Sequence, residues 1–399
     1  MRIFLLSPIY ATTTESSGET PVVHYFAKEW VKQGHEVYVF NLRALFPSVY
    51  YFVSKHFHNR IYNRISIPVP TERPYDRSYI ADGVKVQCVC MKKFKPHSQY
   101  SSKQIDKAIA AISQGCEKYG VPDVFIGHWE NPQLEVLNRL KAVFKKPTAL
   151  VLHTNKFHLV EQYGSGVIDS LRNIDYLGFR NTNSQKDFEQ KYFKPNHSFI
   201  AYSGVSSAFI EAGKSFAPSF MGDNKNFAFV GSLIARKFPS VIIESLHRAY
   251  GNVGWQMKYI GDGCEQATIQ AYASANGINN NVVFTGRIPR ESIIEHLRQA
   301  QFFVMISKYE VFGLVYLEAM ALGLIPIGSR NEGIDGIIVD GENGFLCEAG
   351  NTDELTEILK KIANLPMSEL ERISANAKKT ANNFTDAKVA EKYVNEITK

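Results

Sequence analysis

The stretch that decides the fold of this chain is Glu310-Val-Phe-Gly-Leu-Val-Tyr-Leu-Glu318. It follows the wholly apolar run 302–306, which has the length and composition of a buried parallel strand. After it, apolar residues recur at helical spacing until Gly323 stops the pattern. The sequence therefore predicts a strand-to-helix junction, with Glu310 in the loop and Glu318 about one turn into the helix.

Two carboxylates and a helix start are thus predicted to lie close together. Helical side chains lean toward the N-terminus, so Glu318 is expected to reach the same rim as Glu310. Between them, the first-turn amides of Phe312, Gly313 and Leu314 are donors with a partial positive charge. Carboxylates accept hydrogen bonds from sugar hydroxyls and such amides bind phosphate, so the pattern fits a sugar nucleotide. An isolated glutamate pair is more often a cap and a solvated surface charge.

The surrounding residues favour the binding site, because they extend the pattern. The run resembles the E-x7-E signature of retaining glycosyltransferases of the GT-B architecture, in the glycosyltransferase family 4-like group of bacterial cell-surface polysaccharide and glycolipid transferases. The positions that match are Phe312, Gly313, Leu314, Glu318, Ala319, Met320, Ala321, Gly323 and Pro326. The resemblance implies an α/β fold in which two doubly wound, Rossmann-like domains face each other across a cleft.

Strand-like and helical runs alternate along the chain in two successive series, which predicts two such domains. The first series has strands at 2–6, 37–41, 84–90, 124–128 and 149–152, and the second at 227–230, 257–260, 282–284, 302–306 and 325–328. We expect an N-terminal, acceptor-side domain over 1–205 and a C-terminal domain that binds the nucleotide sugar over 206–383. By resemblance, residues 384–399 return to the first domain.

Composition limits the class of protein. The 399 residues are 45% hydrophobic and 21% charged, which is typical of a globular chain, and no apolar run approaches the ~18 residues of a membrane span. The N-terminus lacks the pattern of a signal peptide. Five cysteines without a C-x-x-C pair argue against a disulfide scaffold or a zinc site. We expect a cytoplasmic protein.

A glycine turn after the first strand is a candidate phosphate-binding loop. Ser17-Gly18 precedes the first helix, where a glycine lets the backbone approach a phosphate closely. Relatives carry two glycines at this turn, and because Ser17 replaces the first, only Gly18 corresponds. A small-residue turn by itself is more often only a turn, and G-x-G-x-x-G is absent.

Cations for the diphosphate are expected where the second domain begins. The segment from Gly231 to Lys237 resembles the family's G-R-L-x-x-x-K motif. Lys237 corresponds to the family's lysine, a compact cation suited to a departing diphosphate. Ser232 stands at the family's arginine position, and Arg236 is the candidate to replace that arginine. Outside this motif, both basic residues would be read as surface charges.

Two histidines end predicted strands of the first domain. His128 resembles the family's H-x-x-N loop and His153 its L-H-T turn. By resemblance, His128 positions the transferred sugar and His153 supports it, although a single histidine is more often a satisfied core residue. In the second domain, Gly286 and Arg287 resemble the loop that reads the nucleotide base; an ordinary strand-to-helix loop is the alternative for Arg287.

One region is unusually basic and aromatic. From Arg43 to Arg77 there are six basic and two acidic residues, a balance of +4, and 44–64 is rich in aromatic side chains. Basic residues beside aromatics suit an anionic membrane surface. An inserted loop that packs its aromatics internally is the alternative, and the chain has no nucleic-acid recognition motif.

The resemblance thus implies a retaining glycosyltransferase, which we expect to need neither a metal nor a cofactor. It would move sugar from a nucleoside diphosphate sugar, a UDP-sugar, to a hydroxyl of a glycan or lipid-linked acceptor. By resemblance, the catalytic group would be His128, Glu310 and Lys237, and Glu318 would bind the ribose. The location would be the cytoplasm or the inner face of the membrane, in surface polysaccharide or glycolipid synthesis. A UDP-sugar epimerase, a sugar phosphorylase and a noncatalytic partner of another transferase are the alternatives.

Overall fold

The chain folds into two compact units, each built around its own sheet. A computed structural model describes residues 1–11, 21–57, 70–96, 98–222 and 224–398. Unit 1 comprises Met1–Tyr202 together with Asp386–Lys399, and unit 2 comprises Ser203–Thr385. Within the described ranges, no helix combines the length and the apolar character that crossing a membrane requires.

Unit 1 is built on an eight-stranded sheet in the order β3-β4-β2-β1-β5-β6-β7-β8. Its strands are β1 Arg2–Ser7, β2 Glu36–Leu45, β3 Arg77–Ala81, β4 Val84–Lys92, β5 Val124–His128, β6 Thr148–Leu152, β7 Tyr176–Phe179 and β8 Ser198–Ile200. All neighbours pair in parallel except β3 and β4, which form an antiparallel hairpin at the edge. The central strands are buried on both faces, as parallel strands covered by helices are expected to be.

The helices of unit 1 cover both faces of this sheet. They are Val22–Lys32, Ser48–His56, Ser102–Tyr119, Gln133–Phe144, Leu159–Tyr163, Val167–Arg172, Thr182–Lys191 and, from the far end of the chain, Asp386–Glu396. The last helix packs on the first: Trp30 donates its indole N–H to the carbonyl of Ala390 at 2.9 Å. Tyr393 packs edge-on against the rings of Phe26 and Trp30.

Unit 2 has a six-stranded parallel sheet in the order β11-β10-β9-β12-β13-β14. Its strands are β9 Lys225–Val230, β10 Trp255–Ile260, β11 Val282–Gly286, β12 Phe302–Val304, β13 Ile325–Ser329 and β14 Phe345–Cys347. Its helices are Ser207–Lys214, Pro239–Tyr250, Gln266–Ala275, Ile293–Leu297, Leu314–Ala321, Thr352–Asn364 and Met367–Ala381, with 3-10 turns at Ala235–Lys237, Asn279–Asn281 and Arg290–Ser292.

Both sheets reverse their strand order once, which fixes where each can bind a ligand. The reversal lies between β1 and β5 in unit 1 and between β9 and β12 in unit 2. In doubly wound sheets, the crevice at the carboxyl ends beside this switch point is the binding place. The predicted α/β fold with two Rossmann-like, parallel-sheet units is confirmed.

Candidate functional site

Three charged side chains converge at the switch point of unit 2. Arg236 and Lys237 lie in the 3-10 turn after β9, and Glu310 lies in the loop after β12. The carboxylate Oε2 of Glu310 is 3.5 Å from Nη1 of Arg236 and 3.7 Å from Nζ of Lys237. The amide of Lys308 donates to the carbonyl of Arg236 at 2.8 Å, which ties the two loops together. Residues 73 positions apart in the sequence thus form one cluster of two cations and one anion.

Lys237 is the enclosed member of this cluster. Burial lowers the pKa of its ammonium group, and the carboxylate of Glu310 opposes that shift. Its Nζ lies 3.5 Å from Sδ of Met305 and close to the Cα of Gly231, where a Cβ would come within 2.8 Å of it. The ammonium is therefore held against the backbone of the β9 loop, whereas the guanidinium of Arg236 is partly exposed.

The helix Leu314–Ala321 begins as the sequence predicted, and only glycine fits at its start. Gly313 has φ +74°, and a Cβ there would come within 2.6 Å of the ring of Tyr316. The preceding loop is fixed from the other side, because the amide of Glu310 donates to the carboxylate of Glu332 at 2.8 Å. The amide of Gly333 donates to the carbonyl of Glu310, also at 2.8 Å. The first turn is thereby held in one position.

Glu318 is fully buried and is paired with an arginine that the sequence analysis did not single out. Its carboxylate accepts a hydrogen bond from Nη2 of Arg290, in the 3-10 turn after β11. Burial raises the pKa of Glu318, and Arg290 opposes the shift. The two glutamates of the E-x7-E pattern therefore hold different basic residues. Arg290 escaped attention because no spacing rule connects it to Glu318.

The ends of β9, β10 and β11 meet in a region where only glycine fits. Gly231 and Gly261 have φ +144° and +140°, and a Cβ on Gly261 would run into the carbonyl oxygen of Gly231. Gly286 at the end of β11 bridges to Gly261. The sequence analysis missed Gly261 and Gly263, although Gly-Asp-Gly directly after an apolar strand was a usable signal for close backbone approach.

Gly231 and Gly261 are among the residues that line a pocket of about 220 Å³. Arg287 lies on its wall, with Nε 2.8 Å from Oδ1 of Asp262. The full lining is Val230, Gly231, Ser232, Ile260, Gly261, Asp262, Arg287, Ile288 and Ile293. The apolar side chains of this lining suit a flat ring, and glycines in the lining leave the backbone open to contact with one.

In unit 1 the two predicted histidines touch each other. Nδ1 of His128 lies 2.9 Å from Nε2 of His153, and Nε2 of His128 lies 3.4 Å from the hydroxyl of Tyr393. His128 has no exposed surface, whereas His153 is part-exposed and stacks on Trp129 with ring centres 3.9 Å apart. Contact between His128 and a substrate would require these partners to move. Because His153 is the partly exposed residue of the two, the geometry favours His153 over His128 for direct contact with a ligand.

The predicted residues therefore fall into separate groups. Unit 2 gathers the cationic cluster and, next to it, the pocket that Gly231 and Arg287 line. Phe312 is buried beside Gly313, and Leu314 is the first helical residue. His128 and His153 belong to unit 1. Gly18 lies outside the described residues.

Comparison with known proteins agrees with this architecture. Residues 214–380 match the family model described as "Glycosyl transferases group 1". An uncharacterized glycosyltransferase of Methanocaldococcus jannaschii is 25% identical over 338 residues, covering 81% of this chain and 89% of that protein.

Solved structures share the fold over the full length. The lipopolysaccharide outer core galactosyltransferase WaaB has a TM-score of 0.69 at 17% identity, with 100% of this chain and 99% of that chain covered. The Anabaena protein HepE in complex with UDP and glucose has a TM-score of 0.65 at 17% identity, with 99% of each chain covered. Residues 214–380 of unit 2 therefore match the group 1 glycosyl transferases, and the chain as a whole has the GT-B fold of these solved glycosyltransferase structures.

Proposed function

We propose that this glycosyltransferase is retaining and moves a sugar from a UDP-sugar to a hydroxyl group of a glycan or lipid-linked acceptor. The observation that carries the proposal is the convergence of Arg236 and Lys237 on Glu310 at the switch point of unit 2. A departing diphosphate carries about two negative charges, and two adjacent cations supply the matching charge. The complex of the structurally similar HepE with UDP and glucose supports the choice of nucleotide.

Each group has a distinct role in the proposal. Lys237 and Arg236 neutralise the diphosphate together with amides of the first helical turn at Gly313. Glu310, once released from the two cations, accepts hydrogen bonds from hydroxyls of the donor sugar. Glu318 binds the ribose hydroxyls. With protein cations and a helix start in these positions, we propose that the reaction needs no bound metal or cofactor.

The proposed step exchanges one bond at the anomeric carbon for another. The bond from this carbon to the diphosphate oxygen breaks, and a bond to the acceptor oxygen forms on the same face. The proton of the acceptor hydroxyl passes to the departing diphosphate. The transition state resembles an oxocarbenium ion, so orientation and stabilisation of the diphosphate supply most of the catalysis. In unit 1, His153 orients the transferred sugar, and His128 acts through His153 as a positioning residue.

A donor screen tests this function. UDP-, GDP- and ADP-sugars are compared for thermal stabilisation of the protein and then for slow hydrolysis, with the anomer of the released or transferred sugar identified by NMR. We expect stabilisation by UDP-sugars and products with the donor's anomeric configuration. Conversion of the donor into an isomeric UDP-sugar would instead support an epimerase, and reaction with free phosphate a phosphorylase. Absence of binding to all three nucleotides would refute the proposal.

We further propose that the acceptor lies at an anionic membrane surface, on its cytoplasmic face. The helix Ser48–His56 exposes Val49, Phe52 and Val53 at helical spacing. Leu45 at the end of β2 pairs with Lys92 at the end of β4, so the loop after β4 lies beside the helix that follows β2. In that loop, Phe94 is 87% exposed.

The charge of this surface is uniform. Lys55, Lys92 and Lys95 are exposed on it, and neither 44–57 nor 91–96 contains an acidic residue. Each basic side chain near anionic headgroups contributes about 1 kcal/mol of binding free energy. The remainder of the predicted segment 44–64, from residue 58 onward, lies outside the described residues.

Sedimentation with vesicles tests the surface. Wild type should sediment with vesicles rich in phosphatidylserine and remain in solution with phosphatidylcholine vesicles. A Phe52→Ser, Phe94→Ser double variant should lose this binding. Val143→Ser is the matched control, because Val143 is exposed elsewhere on unit 1, near the end of the helix Gln133–Phe144. Equal sedimentation of the folded double variant would refute this surface.

A further inference from the structure

The pair formed by Arg290 and Glu318 is unequally exposed. The side chain of Glu318 is 1% exposed and that of Arg290 is 39% exposed. A buried carboxylate without a partner is costly, so the carboxylate depends on a cation or on hydrogen-bond donors. The guanidinium, in contrast, already reaches water and can leave the pair with little further cost of its own.

Arg290 lies in the chain between two residues that line the pocket in unit 2. Arg287, three residues earlier, lines the pocket, and so does Ile293, three residues later. Between them the 3-10 turn Arg290–Ser292 carries the guanidinium to the helix Leu314–Ala321, where Glu318 lies. The arginine thus spans from the pocket wall to the carboxylate that the proposed function assigns to ribose.

We infer that Arg290 competes with the donor's ribose for Glu318. This inference rests on the proposed function. In the free protein the guanidinium satisfies the carboxylate through Oε1. A vicinal diol donates two hydrogen bonds and occupies both carboxylate oxygens, so binding of ribose requires Arg290 to release Oε1. Donor binding therefore exchanges the ion pair for hydroxyl contacts. Because the ion pair must open first, the apparent affinity for the nucleotide is lower than it would be without Arg290.

The competition predicts an effect opposite to that of an ordinary binding arginine. An arginine that contacted the anionic nucleotide would weaken binding when removed. Removal of a competitor strengthens binding: we expect Arg290→Ala to bind UDP about 10- to 150-fold more tightly, the range that one charge-assisted hydrogen bond covers. The affinity of Arg290→Gln for UDP should lie between those of wild type and Arg290→Ala, because glutamine keeps a hydrogen bond but carries no charge. 2′-Deoxy-UDP offers one hydroxyl fewer and should gain less from the substitution.

Calorimetric titration of the full chain with UDP and 2′-deoxy-UDP tests the inference. Arg248→Ala is the matched control, because Arg248 also pairs with carboxylates but is exposed on another helix, Pro239–Tyr250. It should bind UDP like wild type. If Arg290→Ala is too unstable to titrate, Arg290→Gln carries the same test.

The outcomes separate this inference from the proposed function. Tighter binding by the Arg290 variants, larger for UDP than for 2′-deoxy-UDP, supports the competition. Unchanged or weaker binding, or an equal gain for both nucleotides, overturns it while leaving the proposed function intact. If wild type and the Arg290 variants all bind none of UDP, GDP and ADP, the proposed function fails instead.

Discussion

Nδ1 of His128 lies 2.9 Å from Nε2 of His153, and of the two residues His128 is fully buried whereas His153 is partly exposed. The contact with His128 fixes the orientation of the His153 ring. Burial, with the nearby charge of Arg180, holds the pKa of both imidazoles well below the usual value, so both are neutral at pH 7. In a neutral pair one nitrogen donates and the other accepts, so the protonation of one ring is coupled to that of the other.

We expect His153→Gln to lower kcat by about 100-fold while changing the donor's Kd less than about three-fold, because orientation contributes in the transition state. His128→Gln should lower kcat less, and Tyr393→Phe least, because each acts one contact further away. Steady-state kinetics with the donor found in the screen measures the order. Equal losses of kcat in folded His128→Gln and His153→Gln variants would show that His153 does not contact the sugar more directly than His128.

The histidines also predict a pH dependence of stability. In the unfolded chain a histidine takes up a proton near pH 6.5, but His24, His128 and His153 have lowered pKa values in the fold. The unfolded state therefore binds more protons below pH 6.5, and the free energy of unfolding should fall as the pH drops from 7 to 5. Urea unfolding at several pH values measures the slope. A His128→Gln, His153→Gln variant should show a shallower slope, and an unchanged slope would contradict the assignment.

Substitution of each cation should show that the enclosed Lys237 contributes more to kcat/KM than the exposed Arg236. Lys237→Met should lower kcat/KM by about 100-fold or more, since it removes a water-excluded charge from the diphosphate. Arg236→Met should cost about ten-fold, because water screens a partly exposed group. The ratio of kcat/KM values from initial rates gives the comparison. A larger loss for Arg236→Met would reverse their roles and make Arg236 the main phosphate contact.

Substitutions of the two glutamates should change different parameters: UDP affinity for Glu318 and kcat for Glu310. Glu318→Gln should weaken binding of UDP itself, because a ribose contact is made by the nucleotide alone. Glu310→Gln should keep the Kd for UDP within about three-fold of the wild-type value and lower kcat, because Glu310 contacts the donor sugar in the proposal. Titration with UDP and turnover of the UDP-sugar give the two numbers. Unchanged turnover in folded versions of both variants would remove this site assignment.

The close approach of Gly261 to Gly231 should tolerate no side chain at Gly261. Gly261→Ala would bring a Cβ against the carbonyl of Gly231, so the ends of β9 and β10 must separate and UDP binding should be lost. Gly251→Ala is the control: its φ is +69° but nothing lies within 4 Å of a Cβ, so only a backbone cost of about 1 kcal/mol is expected. UDP titration and thermal unfolding compare the two. Retained UDP binding by Gly261→Ala would contradict the close approach.

Much of the fold was predictable because long apolar strands alternate with helical runs. The expected strand at 124–128 has the observed bounds, and the helix after Glu310 starts at Leu314. The strands Ser198–Ile200 and Phe345–Cys347 were not predicted, because three residues are too few to show an alternating pattern. The hairpin strand Arg77–Ala81 was missed because its edge position leaves it mostly exposed and polar.

Spacing alone predicted contacts within the site only where the residues are close in sequence. Glycines and glutamates of the E-x7-E run were found by spacing, whereas the partner of Glu318 comes from 28 positions away. His128 was placed at a strand end correctly, but sequence could not tell that its ring points into the core. Burial of one histidine beneath another depends on Tyr393, 265 positions further along.

The helix Asp386–Glu396 has a consequence for how this protein is made. Residues of unit 1 leave the ribosome first, yet the helix that covers Trp30 and Phe26 is synthesised only after all of unit 2. The nascent first half therefore waits with aromatic surface uncovered while the second half is translated. A fragment that stops at residue 202 would keep that surface exposed, whereas appending 386–398 to it through a flexible linker would supply the missing cover.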